Sequence, residues 1–305
     1  MRRLTVNQPS IFKEKGPLLI ACNHPNSFLD AVLLATYFDR PVYSLARGDA
    51  FKNKHIARLL QALRILPVYR VSEGVENLSS NYETFNACKK ILRKGGIILI
   101  FSEGLCINEW HLRPLKKGTA RLAFSAWDDD IPLRILPAGI NYSSFRRFGK
   151  NVFINFGSFI QSHELPLSAN DGTRYQSFNK RLQQEMEQLV FEIPKHDYSA
   201  QQKKLALPVS PWKKRLLFIP AAAGWLLHIP VSFYPKRLVW KYTSQNDHYD
   251  SAVAALFILL YLPYVTLLTV ISLLIFKSWW ALLLLPFTMF AGWSYLQLKP
   301  QMKQQ

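Results

Sequence analysis

The sequence predicts an α/β fold, with a mostly parallel central sheet flanked by helices and a C-terminal membrane-embedded helical region. Three observations predict it. From residue 17 to about 157, short apolar runs alternate with amphipathic stretches, the pattern of strands joined by crossover helices. Residues 252–276 carry no charge over 25 positions, and 278–298 none over another 21. Either is long enough to cross a bilayer. Composition divides the same way: charge and polarity dominate up to about residue 215, apolar and aromatic residues beyond it.

The first strand is expected at 18–21, an apolar run that stops at Asn23 and His24. The helix over 26–38 then presents Phe28, Leu29, Val32, Leu33 and Ala35 as one apolar face, with Asn26 or Ser27 as N-cap. Further strands are expected at 42–45, 65–68, 97–101, 135–138 and 152–156, and helices at 52–63, 75–92 and 116–126. Gly95 and Gly96 end one helix before the most apolar strand, as a C-cap glycine does. Pro137 and Gly139 interrupt the run 135–141; a proline inside a strand belongs at an edge or a bulge. That segment is therefore expected to line a cleft or close a sheet edge. Residues 171–192 read as a polar amphipathic helix.

The domain boundaries follow: 1–195 as the α/β domain, 196–215 as a basic linker, and 216–305 as the membrane region. Within the last, 252–276 and 279–298 are expected to form a tight transmembrane hairpin, with Trp279 and Trp280 at one interface and Trp293 and Tyr295 near the other. Residues 216–234 are apolar but hold Pro220, His228 and Pro230. They read as a re-entrant or interfacial helix, with a full span as the alternative.

The formal net charge is +18. The basic residues form no long block and no stripe interleaved with exposed aromatics, which argues against nucleic acid as partner. Instead Lys213, Lys214 and Arg215, then Lys236, Arg237 and Lys241, flank apolar segments, as an anionic leaflet would attract. If the hairpin crosses twice, these residues share one side with Lys299 and Lys303, leaving Lys277 alone on the other. The positive-inside rule makes the crowded side cytoplasmic. Residues 1–16 hold no apolar core of a secretory signal, so attachment is expected at the C-terminal end. Cys22, Cys88 and Cys106 follow no metal spacing and read as reduced residues of a domain facing the cytoplasm.

The chemistry-bearing residues cluster at strand ends, where open α/β sheets place ligands. His24 sits just past the first strand, and Asp30 is within the first turns of the following helix. A carboxylate that holds an imidazole fixes its tautomer and makes it a general base. No Gly-x-Ser-x-Gly elbow occurs, so the nucleophile is expected to belong to the substrate. Arg70 follows the strand at 65–68 and suits bidentate grip on a phosphate. Glu103 and Gly104 end the strand at 97–101, and Glu103 is expected to point into the same crevice as His24. Lys116 and Lys117 precede a helix start, a natural anion site on charge grounds.

Taken in order, these blocks resemble the glycerolipid acyltransferase superfamily of glycerol-3-phosphate and 1-acylglycerol-3-phosphate acyltransferases. The resemblance spans residues 17–157, a His–Asp block, a segment ending in arginine, a Glu–Gly block and a proline-containing strand. Five residues separate His24 from Asp30 where the family's usual block has four, and Ser102 stands where the family has proline. The stretches 224–230 and Asp250 with Ser251 also resemble the C-terminal region of the glycerol-3-phosphate branch. The resemblance implies that His24 deprotonates a substrate hydroxyl, Asp30 orients it, and Arg70, Glu103 and Gly104 bind the glycerol phosphate. It implies an acyl thioester donor, acyl-CoA or acyl-carrier protein, with no metal and no cofactor. The expected partners are the lipid bilayer, the donor thioester and a phosphorylated glycerol acceptor. The expected location is a bacterial inner membrane, with the catalytic domain on its cytoplasmic face. Alternatives are acylation of another hydroxyl-bearing lipid, or a catalytically silent, membrane-bound lipid-binding relative.

Overall fold

The computed structural model describes residues 1–69, 78–165, 170–243, 246–300 and 302. Seven strands form one sheet: β1 (Arg3–Val6), β2 (Leu18–Cys22), β3 (Val42–Arg47), β4 (Ile65–Val68), β5 (Ile97–Phe101), β6 (Arg134–Tyr142) and β7 (Asn151–Phe156). Their order across the sheet is β1-β7-β6-β2-β5-β3-β4. Every pairing is parallel except β6 with β7. The α/β reading and six of the strands are as the sequence predicts. β1 is the addition: two of its four residues are exposed and none is fully buried, so no apolar run announces it, and its place comes from pairing with β7.

β2 lies between β5 and β6 and is buried along its whole length. Its side chains alternate, as strand geometry requires. Leu18, Ile20 and Cys22 enter the core on one face, and Leu19 and Ala21 the core on the other. α1 (Phe28–Tyr37) covers the first face through Ala31 and Leu34. α3 (Leu78–Arg93), α4 (Gly118–Trp127) and α5 (Asp171–Leu189) cover the second, with Cys88, Leu122 and Phe178 as buried members. α2 (Lys54–Ala62) buries no residue and lies outside both cores. The first residues of the helix expected at 75–92 lie outside the described ones; from Leu78 on it is α3.

Pro137 corrects one expectation. β6 is an interior strand, pairing with β2 on one side and β7 on the other, so the buried proline closes no sheet edge. It sits where β6 changes partner, between the Ile135–Ile160 bridge and the start of the β7 ladder at Ala138. The missing N–H falls in that gap. Gly139 is needed for another reason: a Cβ there would lie 2.6 Å from the Leu189 carbonyl oxygen at the end of α5.

The stretch expected as a basic linker is largely helical. α6 (Tyr198–Leu205) buries Leu205, whose carbonyl accepts from Asn151 Nδ2 at 3.2 Å, and so packs against β7. α7 (Pro211–Leu227) starts within the linker and meets α8 (Ile229–Thr243) at a 54° bend beside His228. α9 (Tyr249–Phe276) is followed by a 3₁₀ turn, Trp279–Leu283, and α10 (Leu284–Leu298). Among the described residues, two helices, Tyr249–Phe276 and Trp279–Leu298, are long and apolar enough to cross a membrane, or three if the bent pair is one span. Lys277, between the two, takes a left-handed conformation (φ 48°). The partner differs from a simple hairpin, because α10 packs chiefly on α7. Gly224 permits this: a Cβ there would meet the Ala291 carbonyl oxygen at 2.0 Å. Small residues let apolar helices approach this closely.

Candidate active site

β2 delivers His24 to the C-terminal edge of the sheet, on a loop fixed from several sides. Asn23 acts as a backbone mimic: its amide donates to the Ile140 carbonyl and its Oδ1 accepts from the Ile140 N–H, at 3.1 and 2.8 Å. The imidazole stacks on Phe101 with ring centroids 3.8 Å apart. His24 Nδ1 lies 2.9 Å from Asp30 Oδ2. Nε2 makes no hydrogen bond to any described residue, and the side chain is 19% exposed. One ring nitrogen is therefore held and the other is open.

The extra residue between His24 and Asp30 is absorbed by the loop. Pro25, Asn26 and Ser27 precede the helix, with Ser27 at φ 55°, so Asp30 falls in the first turn of α1 and folds back toward the ring. Neither Asn26 nor Ser27 caps that helix with its side chain. Ser251 Oγ from α9 accepts the Leu29 N–H at 3.1 Å and donates to the Asn26 carbonyl at 3.0 Å. Asp30 is fully buried, and burial of a charge requires partners. It has three: His24, the Asn26 N–H at 2.8 Å on Oδ2, and the Tyr142 hydroxyl at 2.6 Å on Oδ1. Burial and then the Asp30 charge push the Tyr142 phenol well above its ordinary value, so it remains a donor.

Glu103 lies beneath the loop rather than facing a ligand. Its side chain is buried, Oε2 accepts the His24 N–H at 2.8 Å, and Oε1 accepts the Arg113 N–H at 2.9 Å. The expectation that it faces the crevice is corrected: both oxygens are already engaged by backbone amides. Burial holds its pKa above the usual carboxylate range, against the lowering effect of those two amides. Gly104 follows at φ 69°, and a Cβ there would approach Lys116 Cγ to 3.1 Å. Lys116 thus lies over Gly104 with its side chain exposed. Ser102, in the place of the family's proline, accepts from Thr119 Oγ1 at 2.9 Å and so ties the strand end to α4. Lys117 takes another direction. It borders an open cleft of about 710 Å³ shared with Tyr175, Asn179 and Gln183 of α5, and His24 is not among the residues lining it. Arg70 lies outside the described residues. β4, the strand before it, is the sheet edge, three places from β2.

The pairing of several contributors escapes a reading of the sequence. Asn26 Nδ2 donates to Asp250 Oδ2 at 2.8 Å, and Lys150 Nζ bonds the same oxygen. Both charged side chains are about 5% exposed. Burial lowers the Lys150 pKa while Asp250 raises it again, the balance of a desolvated ion pair. Ser27 Oγ meets His248 Nδ1 at 2.7 Å. A lone Asp at the head of a long uncharged helix, and a lone Lys at the start of a buried strand, are the signals that could have paired them.

Residues 3–141 match the family model described as Acyltransferase. The α/β domain is thus similar to the acyltransferase family over a stretch that takes in His24, Asp30, Glu103 and Gly104. Over 76 residues the chain is 34% identical to an uncharacterized acyltransferase of Schizosaccharomyces pombe; the match spans 24% of this chain but only 11% of that protein. A solved structure, the 1-acyl-sn-glycerophosphate (LPA) acyltransferase of Thermotoga maritima, is similar at a TM-score of 0.43. It is 12% identical, with 61% of this chain and 70% of that one covered.

Proposed function

We propose that this acyltransferase is membrane-bound and moves a fatty acyl group from a thioester, acyl-CoA or acyl-carrier protein, to a hydroxyl. The acceptor is glycerol-3-phosphate first and 1-acylglycerol-3-phosphate second. The observation that carries the reading is the imidazole of His24, with Nδ1 held 2.9 Å from Asp30 and Nε2 open. Asp30 keeps the proton on Nδ1, so the unshared pair lies on Nε2. Nε2 takes the proton of the acceptor hydroxyl as its oxygen attacks the thioester carbonyl. The tetrahedral intermediate then collapses, the C–S bond breaks, and the imidazolium returns its proton to the departing thiolate. A thioester is already activated, so a positioned base and a bound acceptor supply the chemistry.

Arg70, Gly104 and Lys116 are proposed to hold the acceptor phosphate, with Glu103 bracing the loop from below. Lys117 is proposed for the anionic carrier of the donor, since it faces the cleft along α5. The α/β domain faces the cytoplasm in this reading, with α9 and α10 in the bilayer. The test is an acyl-transfer assay of the purified protein against a panel of acceptors with both donor types. His24→Ala should abolish transfer and leave the protein folded and membrane-bound. Full residual activity would reject the mechanism.

A further inference from the structure

A second cationic site lies where the apolar helices meet the α/β domain. α8 lays Phe233, Lys236, Arg237 and Trp240 along one stripe, and with Tyr249 of α9 these residues line a cleft of about 460 Å³. Arg146, from the loop between β6 and β7, reaches over the Trp240 ring at 5.2 Å, and Tyr249 packs edge-on against the same ring at 5.6 Å. Arg147 donates to the carbonyls of Pro300 and Met302, which brings the end of the chain alongside.

The charges here are unbalanced. Among the described residues, Arg146, Arg147, Lys236 and Arg237 form no ion pair with a carboxylate. Asp250, next to Tyr249, is already engaged by Lys150 and Asn26. Lys299 shows the strain of this crowding. Its pKa is pulled down to about 8, first by burial and then by Lys236, Arg147 and Lys150. Gathering cations without an anion costs free energy that a bound anion recovers.

The position selects the kind of anion. α9 starts at Tyr249 and α10 ends at Leu298, so the cleft lies level with the ends of both apolar helices. Phe233 and Trp240 are about half exposed beside the cations. Aromatic rings mixed with lysine and arginine at that level suit the interface, where rings meet acyl chains and cations meet phosphates.

We propose that this cleft binds the phosphate of an anionic phospholipid of the bilayer, separately from the acceptor site at His24. The proposal rests on the reading that α9 and α10 lie in a membrane. The full chain, purified in a neutral detergent, would be titrated with short-chain phosphatidylglycerol or phosphatidylcholine and the retained lipid measured by native mass spectrometry. Phosphatidylglycerol should be retained in preference. K236Q/R237Q should weaken its binding roughly 30-fold, at about 5-fold for each cation removed. The matched pair K54Q/R58Q, on exposed α2, should leave binding unchanged. Equal losses in both pairs, or no loss in the first, would overturn the site. Displacement of the lipid by inorganic phosphate or glycerol 3-phosphate would overturn it too, by assigning the cleft to a small free anion. Should K236Q/R237Q fail to fold, R146Q asks the same question from an exposed loop position. Retention of the wild-type chain in alkali-washed membranes is scored separately. Its loss rejects the membrane reading, whereas retention with unaltered lipid binding by the variants rejects the site alone.

Discussion

Asn26 Nδ2 donates to Asp250 Oδ2 at 2.8 Å across 224 positions of sequence, joining the loop that carries His24 to the first turn of the long apolar helix α9. Asp250 also holds Lys150, and Ser251 closes the backbone of the same loop. The helix that would anchor the protein is thus part of the wall of its candidate active site.

Removing Asp250 strands a buried ammonium, whereas removing Asn26 deletes one charge-assisted hydrogen bond. Asp250→Ala should therefore cost about 3–5 kcal/mol of stability, and Asn26→Ala about 1.5–3 kcal/mol. Thermal unfolding in detergent ranks them. Lys150→Met combined with Asp250→Leu should recover much of the single-variant loss, because neither charge is then left alone. A wild-type midpoint for Asp250→Ala would show that this network does not hold the loop.

Asp30 divides its two oxygens between orienting His24 and accepting from Tyr142. Asp30→Asn presents an amide to Nδ1 and favours the wrong tautomer, so kcat should fall by about 10³–10⁴. Tyr142→Phe removes one bond to a buried carboxylate, worth about 1.5 kcal/mol or more, and should lower kcat about tenfold. Both should leave the acceptor KM little changed. A selective rise in KM instead would place Asp30 and Tyr142 in substrate binding.

The sequence made the strands and the His24–Asp30 pair legible for one reason: both depend on local pattern. β2 and β5 are buried on both faces and read as unbroken apolar runs, and a histidine at a strand end is visible without any tertiary knowledge. What stayed hidden depends on partners distant in sequence. β1 is a strand because β7 lies beside it, and part of the linker is a helix that buries Leu205 against Phe153 and Ile193. Glu103 was legible as a residue at the right strand end, but not its orientation. Two backbone amides, of His24 and Arg113, turn it inward, and amides carry no sequence signal.

Glu103 gives a pH signature whose sign follows from its burial. Its folded-state pKa lies above that of the unfolded carboxyl, so within that interval the folded protein keeps a proton the unfolded chain has released. The stability this contributes is complete below the ordinary glutamate range and is lost as pH rises through the folded value. Glu103→Gln cannot titrate and should lack this component. The midpoint difference, wild type minus variant, should move against the wild type as pH is raised from about 4 to 7. A difference constant with pH would show that the carboxyl is not perturbed.

Two glycines separate close packing from open space. Gly224 on α7 faces the α10 backbone, with the Ala291 carbonyl oxygen 2.0 Å from a would-be Cβ, and nothing there can yield without moving a helix. Gly224→Val should destabilise by about 1–3 kcal/mol or more. Gly118, at the start of α4, would place a Cβ 3.9 Å from Ile100 Cδ1, an ordinary contact. Gly118→Ala should be neutral or stabilising by about 0.5–1 kcal/mol. Comparable losses at both positions would mean that α7 and α10 do not pack as described.

The orientation of the apolar helices can be read at Lys277. Lys213 Nζ donates to Gln297 Oε1 at 2.7 Å, and Lys299 Nζ to the Phe148 carbonyl at 3.2 Å, so the start of α7 and the end of α10 lie beside the α/β domain. Asp250 brings the start of α9 to the same side. Lys277 stands at the other end of a 28-residue helix, roughly 42 Å away at 1.5 Å per residue. That distance exceeds the hydrocarbon core of about 30 Å. A cysteine at 277 should therefore react with a membrane-impermeant maleimide added to intact cells, and one at Lys214 only after permeabilisation. The native thiols give little background: Cys22 and Cys88 are buried, with Cys88 pushed up to about 12, and burial followed by Asp30 raises Cys106 as well. Protection at 277, or labelling at 214 in intact cells, would reverse the topology and with it the side on which His24 meets its substrates.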